Sequence, residues 1–207
     1  MKLELFSFID RTTDLYEKKM PSFQYAEGQL KPAFTRMFNS GESIVNISTR
    51  IKTVNSLREK LIRNEFYLAF DEPEDALDNL SDLIGIIMQC RFIRNEAELY
   101  KQLFRYFRET GKGYSECIAD GSIFLNLRMP QPQIQRNGFT IFRIDGYYLF
   151  NDTRINFELQ IKSLVHTFWS EIEHEVVYKN PEFIMYDNFN RSMLGAIRDN
   201  LDVVDRQ

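Results

Sequence analysis

Residues 155 to 162, INFELQIK, alternate apolar and polar without a break, and the chain after them, SLVHTFWSEIEHEVVYK, changes to helical spacing. A period of two puts Ile155, Phe157, Leu159 and Ile161 on one face of a strand and Asn156, Glu158, Gln160 and Lys162 on the other. The apolar face requires a core to cover it. The helix that follows anchors the strand through Phe168, Trp169 and Ile172, which read as core residues rather than stacking platforms. The polar face offers an acid, an amide and a cation in a row. Taken alone, that is also what a solvated sheet face looks like.

Other segments supply more of the sheet. SIVNISTRIK (43–52) sets branched residues among polar neighbours and reads as a strand. LIGIIMQCRFI (83–93) is apolar nearly throughout, as in a strand buried on both faces. GFTIFRIDGYYLFNDTRINFELQIK reads as a hairpin turning near Asn151-Asp152. Helices are expected over 2–19, stopped by Pro21, over 22–39, within VNSLREKLIRNEF with Leu57, Leu61 and Ile62 inward, and within EAELYKQLFRYFRE. The Pro-, Gln- and Gly-rich stretch GKGYSECIADGSIFLNLRMPQPQIQRNG reads as a mobile loop. Together these predict an α+β fold: a mixed sheet of about five strands flanked by helices, with N-terminal helices over 1–42, the main domain over 43–180 and a C-terminal helix over 181–207.

The 207 residues, 43% of them hydrophobic, suffice to bury one core of this kind. A net charge of −4 argues against a DNA binder driven by overall charge, so any polyanion site must be local. Cys90 and Cys117 are too few for a disulfide scaffold and read as buried free thiols. No apolar run is long enough to span a bilayer, and MKLELFSFID has a carboxylate where a secretory leader needs apolar residues. The expected location is cytoplasmic.

Asp82 stands just before the buried strand, at the sheet edge with its side chain free, where it serves either as a turn residue or as a ligand. Paired with Glu158 from another strand, it would hold Mg²⁺ through oxygens and leave positions open for substrate phosphates. Arg50, Lys52 and Lys60 fall on the strand-to-helix unit RIKTVNSLREK, where cations and a helix N-terminus can receive a triphosphate. Ordinary surface charge is the competing reading for each.

RIKTVNSLREK, DLIGIIMQC, the NGF turn and FELQIKSLVHTFWSEIEHEVVYK together resemble the synthetase domain of the RelA/SpoT family, most of all the small alarmone synthetases, over about Ser43 to Lys179. The resemblance implies a nucleotidyltransferase-like fold and transfer of pyrophosphate from ATP to the ribose 3′-hydroxyl of GDP or GTP, with Mg²⁺ held by Asp82 and Glu158. It implies ATP-phosphate contacts from Arg50, Lys52, Ser56 and Lys60. Gln160, Lys162, Glu173 and His174 would lie in or beside the acceptor pocket, the last two with capping or packing as the alternative. It also implies a homo-oligomer, commonly a tetramer. The hydrolase activity of long family members needs a histidine-aspartate metal site, and the only histidines, His166 and His174, lie in the last block of the synthetase region.

Two departures stand out. Where the family carries an arginine that packs on adenine, this chain has Ile87. Its base-binding loop reads Gly138-Phe139-Thr140-Ile141-Phe142-Arg143, in which Phe139 keeps a ring but the family's arginine, serine and histidine are replaced. The implied alternatives are a pyrophosphokinase with another acceptor, an adenine nucleotide or a tRNA 3′ end, or a non-catalytic nucleotide-binding module.

Overall fold

The computed structural model describes residues 2–38, 43–111, 113–134 and 140–173, with 195, 196, 200 and 203; of 2–4, 172 and 173 it describes the backbone alone. Phe139 and His174, the Glu173 side chain and the C-terminal helix expected over 181–207, apart from those isolated positions, lie outside the described residues.

The long hairpin organises the sheet. β7 (Thr140–Phe150) and β8 (Thr153–Ser163) pair antiparallel from Phe142↔Ile161 to Phe150↔Thr153. Asn151 and Asp152 between them take φ of 47° and 60°, the left-handed pair that a two-residue turn of this hand requires. β2 (Ile84–Cys90) lies parallel to β8, and β1 (Ile44–Ile51) lies antiparallel to β2. On the other side β7 pairs with β5 (Ile123–Leu125), which leads to β4 (Ser115–Cys117) and β3 (Phe107–Glu109). The order is β1-β2-β8-β7-β5-β4-β3, with β6 (Gln133–Ile134) also on β7. This is the expected mixed α+β sheet, with eight strands among the described residues rather than about five.

Of the extra strands, β4, β5 and β6 come from the stretch read as a mobile loop, and β3 from the last three residues of EAELYKQLFRYFRE, expected as helix. They are two or three residues long, too short for an alternation to register, and neighbouring strands define them rather than local pattern. Gly146 lets that part of the sheet close: a Cβ there would sit 2.6 Å from the Phe124 carbonyl oxygen and from the Phe157 ring.

The helices expected over 2–19 and 22–39 are one, α1 (Lys2–Phe38), running through Pro21 and Pro32. Each interior proline costs about 3 kcal/mol. Burying Phe8, Ile9, Phe23, Leu30, Phe34, Met37 and Phe38 along one face returns roughly 1.5–3 kcal/mol per side chain and outweighs that cost. α1 and α5 (Ile93–Tyr106) pack on the sheet's apolar face, where Phe34 meets Phe157 edge-on at 6.1 Å and Tyr100 meets Phe142 at 5.3 Å. Among residues 2–173 the other described helices are α2 (Val54–Arg63), α3 (Phe66–Ala69), α4 (Pro73–Asp78) and α6 (Leu164–Glu173).

Some side chains depart from their expected places. Ile62 and Phe168 are exposed, whereas Leu57, Leu61 and Trp169 are buried as read. β2 is buried on one face only; Gly85, Ile87 and Gln89 on the other are half-buried. Both cysteines are buried free thiols. No helix among the described residues is long and apolar enough to cross a membrane.

Candidate active site

The polar face of the sheet carries its chemistry in rows that run across the strands. Arg50 on β1 stands opposite Gly85 on β2, Gly85 opposite Glu158 on β8, and Glu158 opposite Asp145 on β7. The next row is Ser48, Ile87, Gln160 and Arg143. Gly85 leaves a gap in the first row: a Cβ there would meet the Arg50 side chain at 3.4 Å, so the guanidinium stem lies across the glycine. The result is a hollow of about 130 Å³ between β1, β2, β8 and the start of α2.

Arg50, Lys52, Ser56, Asp82, Glu158 and Gln160 all line that hollow, six of the sequence-derived candidates brought together from three separate stretches of chain. Ile87 lines it as well. The Thr53 side chain caps α2, accepting from the Ser56 amide at 3.2 Å, and both residues face the hollow. A helix N-terminus with its unsatisfied amides and positive dipole end therefore opens toward it.

Asp82 is not free, as the sequence suggested. Lys52 and Lys60 each reach its carboxylate at 2.8 Å, one on each oxygen. Burial alone would raise the Asp82 carboxyl, but the hydrogen bonds and charges of the two ammonium groups outweigh it and hold the pKa below the usual carboxylate value. Lys60 thus belongs to the site through Asp82. The strand end that carries Lys52 is fixed from both sides: its amide donates to the Leu83 carbonyl at 2.9 Å, and the Tyr16 hydroxyl of α1 donates to its carbonyl at 2.6 Å. Burial, and then the Asp82 charge, push the Tyr16 phenol well above its normal range, so it remains a donor.

Glu158 accepts a hydrogen bond from Gln160 and lies 3.5 Å from the Arg143 guanidinium. Asp145, directly opposite, has one buried carboxylate oxygen with no hydrogen-bond partner among the described residues. Lys162 is not gathered with the others: its ammonium is 3.4 Å from the Ser170 hydroxyl on α6. His166 on α6 is also used elsewhere, its Nδ1 lying 2.7 Å from the buried Glu96.

The sequence reading missed Thr53, Gly85 as a spacer, Arg143 and Asp145 as neighbours of Glu158, and Asn156 as a buried group. Signals existed for the first two: a threonine three residues before Ser56, and a glycine interrupting an apolar strand. Arg143 and Asp145 become visible only through the β7–β8 register.

The donor set fits a hard divalent cation. Two carboxylates, one of them held ionised by its lysines, face one hollow. Among the described residues no three His, Cys, Asp or Glu side chains gather as a cation site. A cation here would have to complete its shell from water and substrate oxygens, as Mg²⁺ does in phosphate-handling sites.

Residues 49–182 match a family profile described as the region found in RelA / SpoT proteins. No curated protein matches the chain in sequence. Among solved structures, the small alarmone synthetase 1 from Bacillus subtilis is similar, with 20% identity over 91% of this chain and 93% of that one at a TM-score of 0.64. A crystal of that synthetase bound to its product pppGpp gives 18% identity, 93% and 94% coverage and a TM-score of 0.65. A GTP pyrophosphokinase family protein from Streptococcus pneumoniae gives 20% identity, 98% and 91% coverage and a TM-score of 0.56. At these identities the likeness speaks for the fold.

Proposed function

The chain belongs to the RelA/SpoT family, and from that membership and the site's geometry we propose that it is a pyrophosphokinase that moves the β,γ-pyrophosphate of ATP to the 3′-hydroxyl of GDP or GTP. The observation that carries this reading is the meeting of Asp82 and Glu158 in one hollow with Arg50, Lys52 and Ser56. In the proposed reaction the acceptor's 3′ oxygen bonds to the β-phosphorus and the bond from that phosphorus to the bridging oxygen of the α-phosphate breaks. AMP leaves, and the hydroxyl proton is lost to the medium or a neighbouring base.

Such a transfer depends on alignment and charge neutralisation more than on covalent chemistry. Arg50, Lys52, Ser56 and the N-terminus of α2 receive the triphosphate, and Lys60 keeps Asp82 ionised beside it. Glu158 stands at the boundary between donor and acceptor, with Gln160 and Arg143 on the acceptor side. Mg²⁺ held by Asp82 and Glu158 would supply charge neutralisation on the transferred phosphates. Phe139 is the proposed ring for the acceptor base, and Lys162 and His174 flank that pocket.

A second reading, transfer to a different acceptor such as an adenine nucleotide or a tRNA 3′ end, is favoured by one observation: the β7 side of Glu158 presents Arg143 and Asp145. The deciding experiment incubates purified protein with Mg²⁺ and labelled ATP plus GDP, GTP, excess ATP or deacylated tRNA, and follows AMP and the 3′-modified product. AMP formed only with GDP or GTP supports the first reading, and AMP formed only with another acceptor supports the second. No turnover with any acceptor would leave a non-catalytic nucleotide-binding module. Added (p)ppGpp should survive incubation, since no alarmone hydrolysis is proposed; assembly as a homo-oligomer is a further expectation, read by light scattering.

A further inference from the structure

Asn156 stands on the polar face of β8 yet is only 5% exposed. Its amide nitrogen donates to the carbonyl oxygen of Asp78 at 2.7 Å and of Leu80 at 3.0 Å, using both hydrogens on the segment that leaves α4 and runs to Asp82. Its side-chain oxygen accepts from Arg154 Nε at 2.8 Å. Arg154 is clamped in turn: it donates to the Tyr114 hydroxyl at 2.8 Å, and its guanidinium lies over the rings of Tyr114 and Tyr147 at 4.9 and 4.3 Å. The amide therefore has a fixed orientation, with its donors turned to the loop.

The spacing gives this contact its meaning. Asn156 precedes Glu158 by two residues on the same strand face, and Leu80 precedes Asp82 by two residues. One buried amide thus ties the two backbone segments that carry the two carboxylates. We infer that Asn156 is a positioning residue for the pair, setting the separation of Asp82 and Glu158 and with it the affinity for a divalent cation. The inference rests on the reading that these carboxylates share the cation. Groups that orient metal ligands without touching the metal are worth about 10- to 100-fold in metal affinity.

The test is Mn²⁺ titration of the full chain, read by electron paramagnetic resonance in the presence of a non-hydrolysable ATP analogue, for wild type, Asp82→Ala, Asn156→Ala and Arg154→Gln. Wild type should bind Mn²⁺ and Asp82→Ala should not; if the two behave alike, the shared-cation reading fails, whatever Asn156 does. With that reading intact, Asn156→Ala should weaken Mn²⁺ about 10- to 100-fold. In turnover it should raise the half-saturating Mg²⁺ by a similar factor, while kcat at saturating Mg²⁺ returns to within about threefold of wild type. Simple loss of folded protein would lower kcat and leave the metal requirement unmoved. Unchanged Mn²⁺ affinity in Asn156→Ala overturns the inference. If that variant does not fold, Arg154→Gln, which frees only the oxygen end of the amide, should weaken Mn²⁺ about two- to fivefold by the same reasoning, and no change there overturns it.

Discussion

On the β1–α2–β2 flank of Glu158, Lys52 and Lys60 close on Asp82, whereas on the β7 flank Asp145 faces Glu158 with a buried oxygen that has no partner among the described residues. On the first flank the Asp82 carboxylate is fully paired as it stands, one ammonium on each oxygen. On the second flank two carboxylates stand opposite each other across strands, a destabilising arrangement eased only in part by Arg143 at 3.5 Å, itself 44% exposed. The lesson is that one half of the site is fixed by the fold's own ion pairs, whereas the other is left with its charge only partly compensated.

The contrast can be broken most severely at its shared member. Glu158→Gln keeps the shape and the Gln160 contact region but removes the charge, and AMP release should fall about 10²- to 10³-fold or more in the labelled-ATP assay. Activity within tenfold of wild type would remove Glu158 from the chemistry. Next comes a matched pair. Lys52→Ala should cost about 10²-fold in turnover, and Arg143→Ala less than about tenfold, with the change falling on the acceptor's KM. Equal losses would erase the distinction between the flanks.

A smaller change sharpens the nucleotide side. Ile87 lines the hollow beside Gln160. Ile87→Arg should restore a cation against the adenine ring and tighten ATP by about 0.5–2 kcal/mol, visible as a lower KM or by calorimetry. The smallest effect concerns stability. The folded pKa of Asp82 is depressed, so its ion pairs stabilise the fold at pH values above the unfolded carboxyl's own pKa, about 3.9. That contribution is lost as pH falls through the lower folded value. The difference in unfolding free energy between wild type and Asp82→Asn should therefore be largest near neutrality and shrink below about pH 4 in denaturant titrations at several pH values.

What could be read from the sequence follows from the range of the interactions involved. The β7–β8 hairpin was legible because alternation and a turn pair are local, and INFELQIK has both faces written out. The gathering of Arg50, Lys52, Ser56, Asp82, Glu158 and Gln160 was legible through family resemblance, which carries spatial information that periodicity lacks. α1 was misread as two helices because Pro21 and Pro32 are strong local signals, while the burial that overrides them is long-range. β3 to β6 were misread because strands this short are defined by their neighbours. Phe168 was placed inside because an aromatic next to Trp169 looks like core, although adjacent helical residues point about 100° apart. Asn156 shows in the sequence only as one polar residue in an alternation, since the two carbonyls it holds lie more than seventy positions earlier.

The two thiols sit one on each side of this division. Cys90 closes β2 in the interior of the sheet, and Cys117 lies on β4, next to the outermost strand β3. Both are buried, which keeps an alkylating reagent from either sulfur, and at Cys117 burial also pushes the thiol above its usual pKa. Alkylation therefore has to wait for the strand to open, which turns the pair into two clocks within one unmodified chain. The rate at Cys117 times the breathing of the short-stranded edge, and the rate at Cys90 times the loss of the central ladder on which Glu158 depends.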